Sequence, residues 1–256
     1  RREEHREPDA MSTQAIYLRA LRRAYFSDHS VLFYGVLAVA GAAACLNRMP
    51  LWDAALYAAV GWFIYLPEEY FSHVWVFHGH IPRNQFLYRM LYRLHLGHHD
   101  KPRRLDLLFT PTWYTLPALL LNIAIFALVT RDVWQTVALC TGLMAGYLMF
   151  EWWHLVVHSP YEPGPVMRWI RHQHMGHHHW NERRWYTIST AAVMYDVVCG
   201  TGGKVHESPR SKSPPTAGLE QDDERLASAR SYYRFGSDWK EDESAIWQLE
   251  RNQATQ

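Results

Sequence analysis

"LLFTPTWYTLPALLLNIAIFALVT", residues 107–130, runs for 24 positions without a charged side chain. A helix of roughly 20 residues, rising about 1.5 Å per residue, crosses the hydrocarbon core of a bilayer. The run is long enough to span, and the rest of the fold is read outward from it. Only "RD" (131–132) separates it from a second charge-free run, residues 133–150, of 18 residues. Upstream lie residues 31–47 (17 residues) and 54–67 (14 residues), joined by "NRMPLWD" (47–53). The last run is short alone but continues through Glu68, Glu69, Tyr70 and Phe71 toward His73. The pattern predicts an all-α fold. Four transmembrane helices form two hairpins, and the polar sequence after each hairpin forms a cytosolic helical cap.

Charge placement orients the bundle. Arg1, Arg2, Arg6, Arg19, Arg22 and Arg23 precede the first run. Arg83, Arg89, Arg93, Lys101, Arg103 and Arg104 lie between the hairpins, and Arg168, Arg171, Arg183 and Arg184 follow the last run. Basic residues favour the cytoplasmic side, so both termini and the central loop are expected there. Residues 1–29 then form an N-terminal cytosolic segment, 30–201 a membrane-embedded catalytic domain, and 202–256 a polar tail. That tail, rich in Ser, Pro and charge, is expected to lack a packed core, with short surface helices at 226–233 and 241–251. The net charge of +1 gives no electrostatic case for nucleic acid. Cys45, Cys140 and Cys199 are too dispersed for a disulfide framework or a metal knuckle. Ala-, Arg- and Leu-rich usage leans toward a bacterial inner membrane rather than endoplasmic reticulum.

Thirteen of the sixteen histidines fall in four patches: "HVWVFHGH" (73–80), "HLGHH" (95–99), "EWWHLVVH" (151–158) and "HQHMGHHH" (172–179). Positions i, i+3 and i+4 share a helix face, so the last three patches can each present two or three groups in one direction. The first is awkward. His73 and His78 are five residues apart, about 140° around a regular helix, whereas His73 and His80 nearly eclipse. Periodicity favours His80, although Gly79 and Pro82 end the helix there. Each patch adjoins the cytoplasmic end of an apolar run, so the four are expected to converge below the membrane. Neutral imidazole is the commonest side-chain metal ligand. Ten imidazoles exceed the needs of one ion and suit two. Iron fits oxidative chemistry, and zinc is not excluded by residue type.

With these residues in view, the chain resembles the fatty acid hydroxylase/sterol desaturase superfamily of integral-membrane di-iron enzymes. The matching boxes are "HVWVFH" (73–78), "HLGHH" (95–99), "HLVVH" (154–158) and "HMGHH" (174–178). The flanks "HHDKPRRLDLLFTP" (98–111) and "HHHWNERRWYTISTAAVMYDVVCGT" (177–201) are also similar, and the likeness covers roughly residues 30–201. Three details depart from the family pattern: Tyr195-Asp196 replaces Trp-Asp, Cys199-Gly200 replaces Phe-Gly, and Arg104 stands where an acid is common. They bear on substrate identity and leave the boxes intact.

The resemblance implies metal ligands at His73, His78, His95, His98, His99, His154, His158, His174, His177 and His178, preferring His78 over His80. It implies two Fe ions, with Zn possible in purified protein, and O2 as co-substrate. His172 and His179 flank the last box and are candidates for outer positions. Glu151, one turn before His154, is a candidate to orient an imidazole, and Asp196 is a weaker one for the same task. The implied activity is O2-dependent hydroxylation of a lipid C–H bond, on an acyl chain or a sterol. The alternatives are a desaturase or sterol methyl oxidase on the same scaffold, or a membrane metal-binding protein without catalysis. No cytochrome b5-like segment accompanies the boxes, so a separate electron donor is expected: a ferredoxin, cytochrome b5 or a reductase.

Overall fold

In a computed structural model, which describes residues 13–233, α1 (Thr13–Tyr25) leads into α2 (His29–Leu46). Asp28 starts α2 by accepting the backbone N–H groups of Ser30 at 2.9 Å and Val31 at 3.1 Å, the N-cap role that suits a short acidic side chain. Pro50 then precedes α3 (Leu51–Phe71). The second hairpin is α7 (Thr112–Thr130) and α8 (Val133–Val157). Its turn is two residues long. Arg131 adopts a left-handed φ of 52°, and Asp132 caps α8 through the N–H groups of Trp134 and Gln135, both at 2.8 Å. No strand occurs among the described residues, as an all-α fold requires.

Among the described residues, three segments are long and apolar enough to cross a membrane: α2, Leu105–Thr130 and α8. α3, at 21 residues, is longer than α2 and shorter than the other two, but carries Asp53, Glu68 and Glu69. α8 is the central helix, more buried than α2 or Leu105–Thr130, and it packs on α2, α3 and α7. The α3–α8 contact depends on small residues. A Cβ on Gly61 would strike the Leu139 carbonyl, and one on Gly142 would strike that of Ala58. Close backbone approach of this kind is the usual means of joining helices where lipid removes the hydrophobic drive. Outward-facing Val36, Val39, Leu121, Leu128 and Val129 are 61–76% exposed. So much exposed aliphatic surface suits lipid rather than water, and the protein is a membrane protein.

The cap begins where α3 runs without a break into a π-helical turn, Ser72–Phe77. α4 (Gln85–Leu91) leads to a second π-helical turn, Tyr92–Leu96, then α5 (Gly97–Asp100) and α6 (Leu105–Leu108). After the second hairpin come α9 (Pro165–His179), α10 (Val193–Val198) and α11 (Glu224–Tyr232).

The polar tail differs from expectation as far as it is described. Val205 is buried against Gly176. Leu226 and Ala229 of α11 are buried in a cluster with Tyr88, Leu91 and Tyr92. Arg230 grips Asp100 with two hydrogen bonds, at 2.7 and 2.5 Å, and the Tyr92 hydroxyl donates to the same carboxylate at 2.7 Å. A few apolar residues and one bidentate ion pair are enough to strap a mainly polar segment to a preformed surface. The helix expected at 226–233 is α11; the one expected at 241–251 lies outside the described residues.

Candidate metal centre

The π-helical turn resolves the geometry of the first box. The N–H of His78 donates to the carbonyl of His73 at 2.9 Å, five residues back. This wider turn returns position i+5 to the face of position i, so His78 joins His73. His80, which regular periodicity favoured, is exposed and outside the clusters.

All ten expected ligands come together, but at two places. His73, His78, His95, His99 and His177 form one cluster; His98, His154, His158, His174 and His178 form the other. Within each, the candidate ligand atoms all lie within 4.8 Å of one another. The boxes divide by a rule. In "HLGHH" the i, i+4 pair, His95 and His99, enters the first cluster while His98 enters the second. In "HMGHH" the i, i+4 pair, His174 and His178, enters the second while His177 enters the first. Each cluster is therefore one whole box, one i, i+4 pair and one borrowed i+3 imidazole. The centres adjoin: the His99 and His178 rings stack at 4.1 Å.

Hydrogen bonding alone does not account for these contacts. The Nε2 of His95 lies 3.0 Å from that of His73, 2.9 Å from that of His78 and 3.0 Å from that of His99. A ring nitrogen has either one proton or one in-plane lone pair, so it can satisfy one of these neighbours. In the second cluster the Nε2 atoms of His154, His98, His158, His174 and His178 follow one another at 2.9, 2.9, 2.9 and 3.1 Å. Nitrogens about 2.1 Å from a shared cation and at right angles would be about 3.0 Å apart, against about 3.4 Å for a tetrahedral set. The observed spacings, with five donors in each cluster, are those of nitrogens that could share a metal ion.

Electrostatics favour the ligating form. Burial, reinforced by neighbouring imidazoles, holds His73, His78, His95, His98, His99, His158, His174 and His178 well below the ordinary histidine range. Burial brings His177 down to about 4. Its Nδ1 lies 2.7 Å from the Arg184 carbonyl; donating there leaves Nε2, which has no hydrogen-bond partner, to face the cluster.

Glu151 is fully buried, but its hydrogen bond goes to the N–H of Thr110 at 2.9 Å, not to an imidazole. Asp196 likewise serves the backbone. It accepts the N–H groups of Tyr186 at 3.0 Å and Thr187 at 2.9 Å and the hydroxyls of Thr187 and Thr201. Both carboxylates brace the walls of the site through groups other than histidine. His172 and His179 are exposed. Three further features carry little signal in the sequence. The Tyr186 ring lies 5.3–5.7 Å from those of His73, His78 and His177. The Arg184 carbonyl orients His177, and Glu69 accepts the N–H groups of Ile188 at 2.7 Å and Ser189 at 3.0 Å. The usable signal for the last is a pair of carboxylates closing an apolar run.

Comparison with solved structures bears on this arrangement. A structure of full-length Scs7p, with only the hydroxylase domain visible, aligns with a TM-score of 0.61 and 20% identity over 79% of this chain and 70% of that one. The chain has the fold of the Scs7p hydroxylase domain. No family model and no curated protein matches the chain. The Scs7p-like fold places the ends of α3 and α8, together with α5 and α9, around the two histidine clusters.

A cavity of about 90 Å³ reaches the first cluster from inside the bundle, with His73 in its wall. A second, of about 200 Å³, reaches His78 from the cap, beside Glu182 and Arg183.

Proposed function

We propose that the protein is an O2-dependent di-iron membrane oxygenase that hydroxylates a C–H bond of a lipid. The observation that carries this reading is the pair of five-histidine clusters, buried where helices long enough to cross a bilayer meet the cap. The name of the structurally similar protein, which specifies a hydroxylase domain, supports the reaction class.

Two irons, when bound, would supply O2 activation; the balanced change is R–H plus O2, two electrons and two protons giving R–OH and water. The residues of the chain do the rest. The ten histidines would hold the ions, arriving neutral so that no protons need be displaced at pH 7. Arg184, through its carbonyl, fixes the tautomer of His177. Glu151 holds the N–H of Thr110, which lines the inner cavity, so its role is to shape the space next to His73. The burial of nine of the ten ligands excludes bulk water from the reacting atoms. α3 serves as a fourth span with both termini cytoplasmic, and an external electron donor meets the cap in a bacterial inner membrane.

The test is to purify the full chain with iron, then measure metal content and O2 consumption with a reductant and a lipid extract. Products are read by mass spectrometry. The expected result is two irons per chain and a lipid heavier by one oxygen, absent from a His177→Ala, His178→Ala variant. Loss of two hydrogens would point to desaturation. Bound metal with unchanged lipids in both proteins would overturn the oxygenase reading.

A further inference from the structure

His78 is the one half-buried donor among the ten histidines; the other nine are buried. The space it meets is the cap-side cavity of about 200 Å³. The lining of that cavity grades from exposed His80 and Arg183 to buried Glu182 and then His78. Among the lining residues Glu182 is the acid and Arg183 the arginine.

Glu182 has no role in holding the fold together that matches its burial. Glu69, Glu151 and Asp196 each accept at least one backbone N–H. The Glu182 side chain is 4% exposed, yet its Oε1 meets only the 82% exposed Arg183, at 3.8 Å, and its Oε2 has no hydrogen-bond partner. A buried carboxylate oxygen without a partner is costly and calls for a reason. A cation passing through the cavity supplies one, because carboxylate and imidazole together suit divalent first-row metals.

The size of the space agrees. At about 30 Å³ per water, an ion with about six waters needs roughly 180 Å³, close to the volume of this cavity. The inner cavity, at about 90 Å³, has half that room and lies within the membrane bundle, where a hydrated ion is costly.

We infer that the cap-side cavity is the entry port for a divalent metal ion and that Glu182 is its landing site. The inference rests on the reading of the clusters as metal centres and not on the reaction. Glu182 takes the ion from its water shell and passes it to His78, one water leaving for each protein donor, with no change of oxidation state. Arg183 opposes the incoming charge at the mouth. A landing site lowers the barrier in both directions, so Glu182 governs loading and release and leaves the final affinity alone.

The test reads exchange rather than turnover. The iron-loaded full chain in detergent is held without O2 in excess isotopically labelled Fe(II), and uptake of the label is followed by mass spectrometry of the metal. Glu182→Gln is expected to slow the faster exchange phase about tenfold, since a cleft of one charge raises counter-ion rates by about 10-fold or more. Its iron content should not change. Arg183→Gln, at an exposed position, should accelerate the same phase about threefold at low salt and lose that gain at high salt. A merely structural role would lower the melting temperature without giving the two variants opposite signs. Exchange unmoved in both variants would overturn the inference, as would loss of iron from Glu182→Gln, which would make Glu182 a ligand. If Glu182→Gln does not fold, the Arg183→Gln rate decides alone. A chain that takes up no iron overturns both the port and the oxygenase reading. Exchange with these signs in a protein that oxidises no lipid keeps the port and sinks the oxygenase reading; lipid oxidation with exchange indifferent to both variants does the reverse.

Discussion

The two histidine clusters have the same number and kind of donors, yet they sit in different surroundings. The first touches space on both sides: His73 lines the inner cavity, and half-buried His78 lines the opening toward the cap. The second has five buried donors, and its histidines line neither opening. On the proposed oxygenase reading, this contrast would divide the labour between the two centres. A centre that must meet substrate and protons needs access; a partner that supports it is better sealed, because water would compete for its coordination positions.

Ligand removal should damage both centres most severely. His95→Ala takes the most connected imidazole from the first, and His98→Ala takes the imidazole that the second borrows from the same box. Each is expected to bring product to background, a loss of about 100-fold or more, and to lower iron toward one per chain by elemental analysis. Two irons retained with full activity in either variant would remove that cluster from the reaction.

Acid should act next most strongly on the metal-free protein. The folded state holds His177 at about 4, below the ordinary histidine value of about 6.5. Its neutral form is favoured by folding, so the contribution is present above the unfolded value and is lost as pH falls toward the folded one. Between about pH 6.5 and 4 the metal-free protein should lose about 3 kcal/mol from His177 alone, read as a falling denaturation midpoint. A midpoint flat across that window would contradict the burial of these rings.

The strap tests whether the cap supports both clusters. Arg230→Ala leaves the Asp100 carboxylate, next to the "HLGHH" box, with Tyr92 as its side-chain donor among the described residues. A loss of about 2 kcal/mol is expected, with a lower melting temperature and weaker iron retention at both centres. Iron loss from one centre only would mean that the strap serves that one.

Chelation separates the open site from the sealed one. Iron should leave in two phases of similar amplitude, the faster from the first cluster. His78→Ala should accelerate only that phase, and a single phase would contradict the difference in access. The smallest effect belongs to His80→Ala, since His80 is exposed and outside both clusters. Metal content should be unchanged and stability should move by less than about 0.5 kcal/mol.

Much of this architecture is legible in the amino-acid sequence. Charge-free runs long enough to cross a bilayer announce helices, because lipid leaves the backbone no partner but itself. Histidines recurring at the ends of those runs announce metal, because so many imidazoles at such spacing have little other use. The ten histidines that the structure brings together are therefore readable from residue type, order and family likeness. Local periodicity does not show that His78 rather than His80 completes the first box. That choice depends on a π-helical turn, which alters the angular period from 3.6 residues and leaves no mark in the composition of the chain. Nor does periodicity divide "HLGHH" and "HMGHH" between two centres. Adjacent histidines on one helix point about 100° apart, and only the packing of α5 against α9, α3 and α8 decides what lies in each direction. The roles of Glu69, Glu151 and Asp196 as braces, and the strap from Val205 to Tyr232, depend on partners up to 143 residues away, which no local pattern encodes.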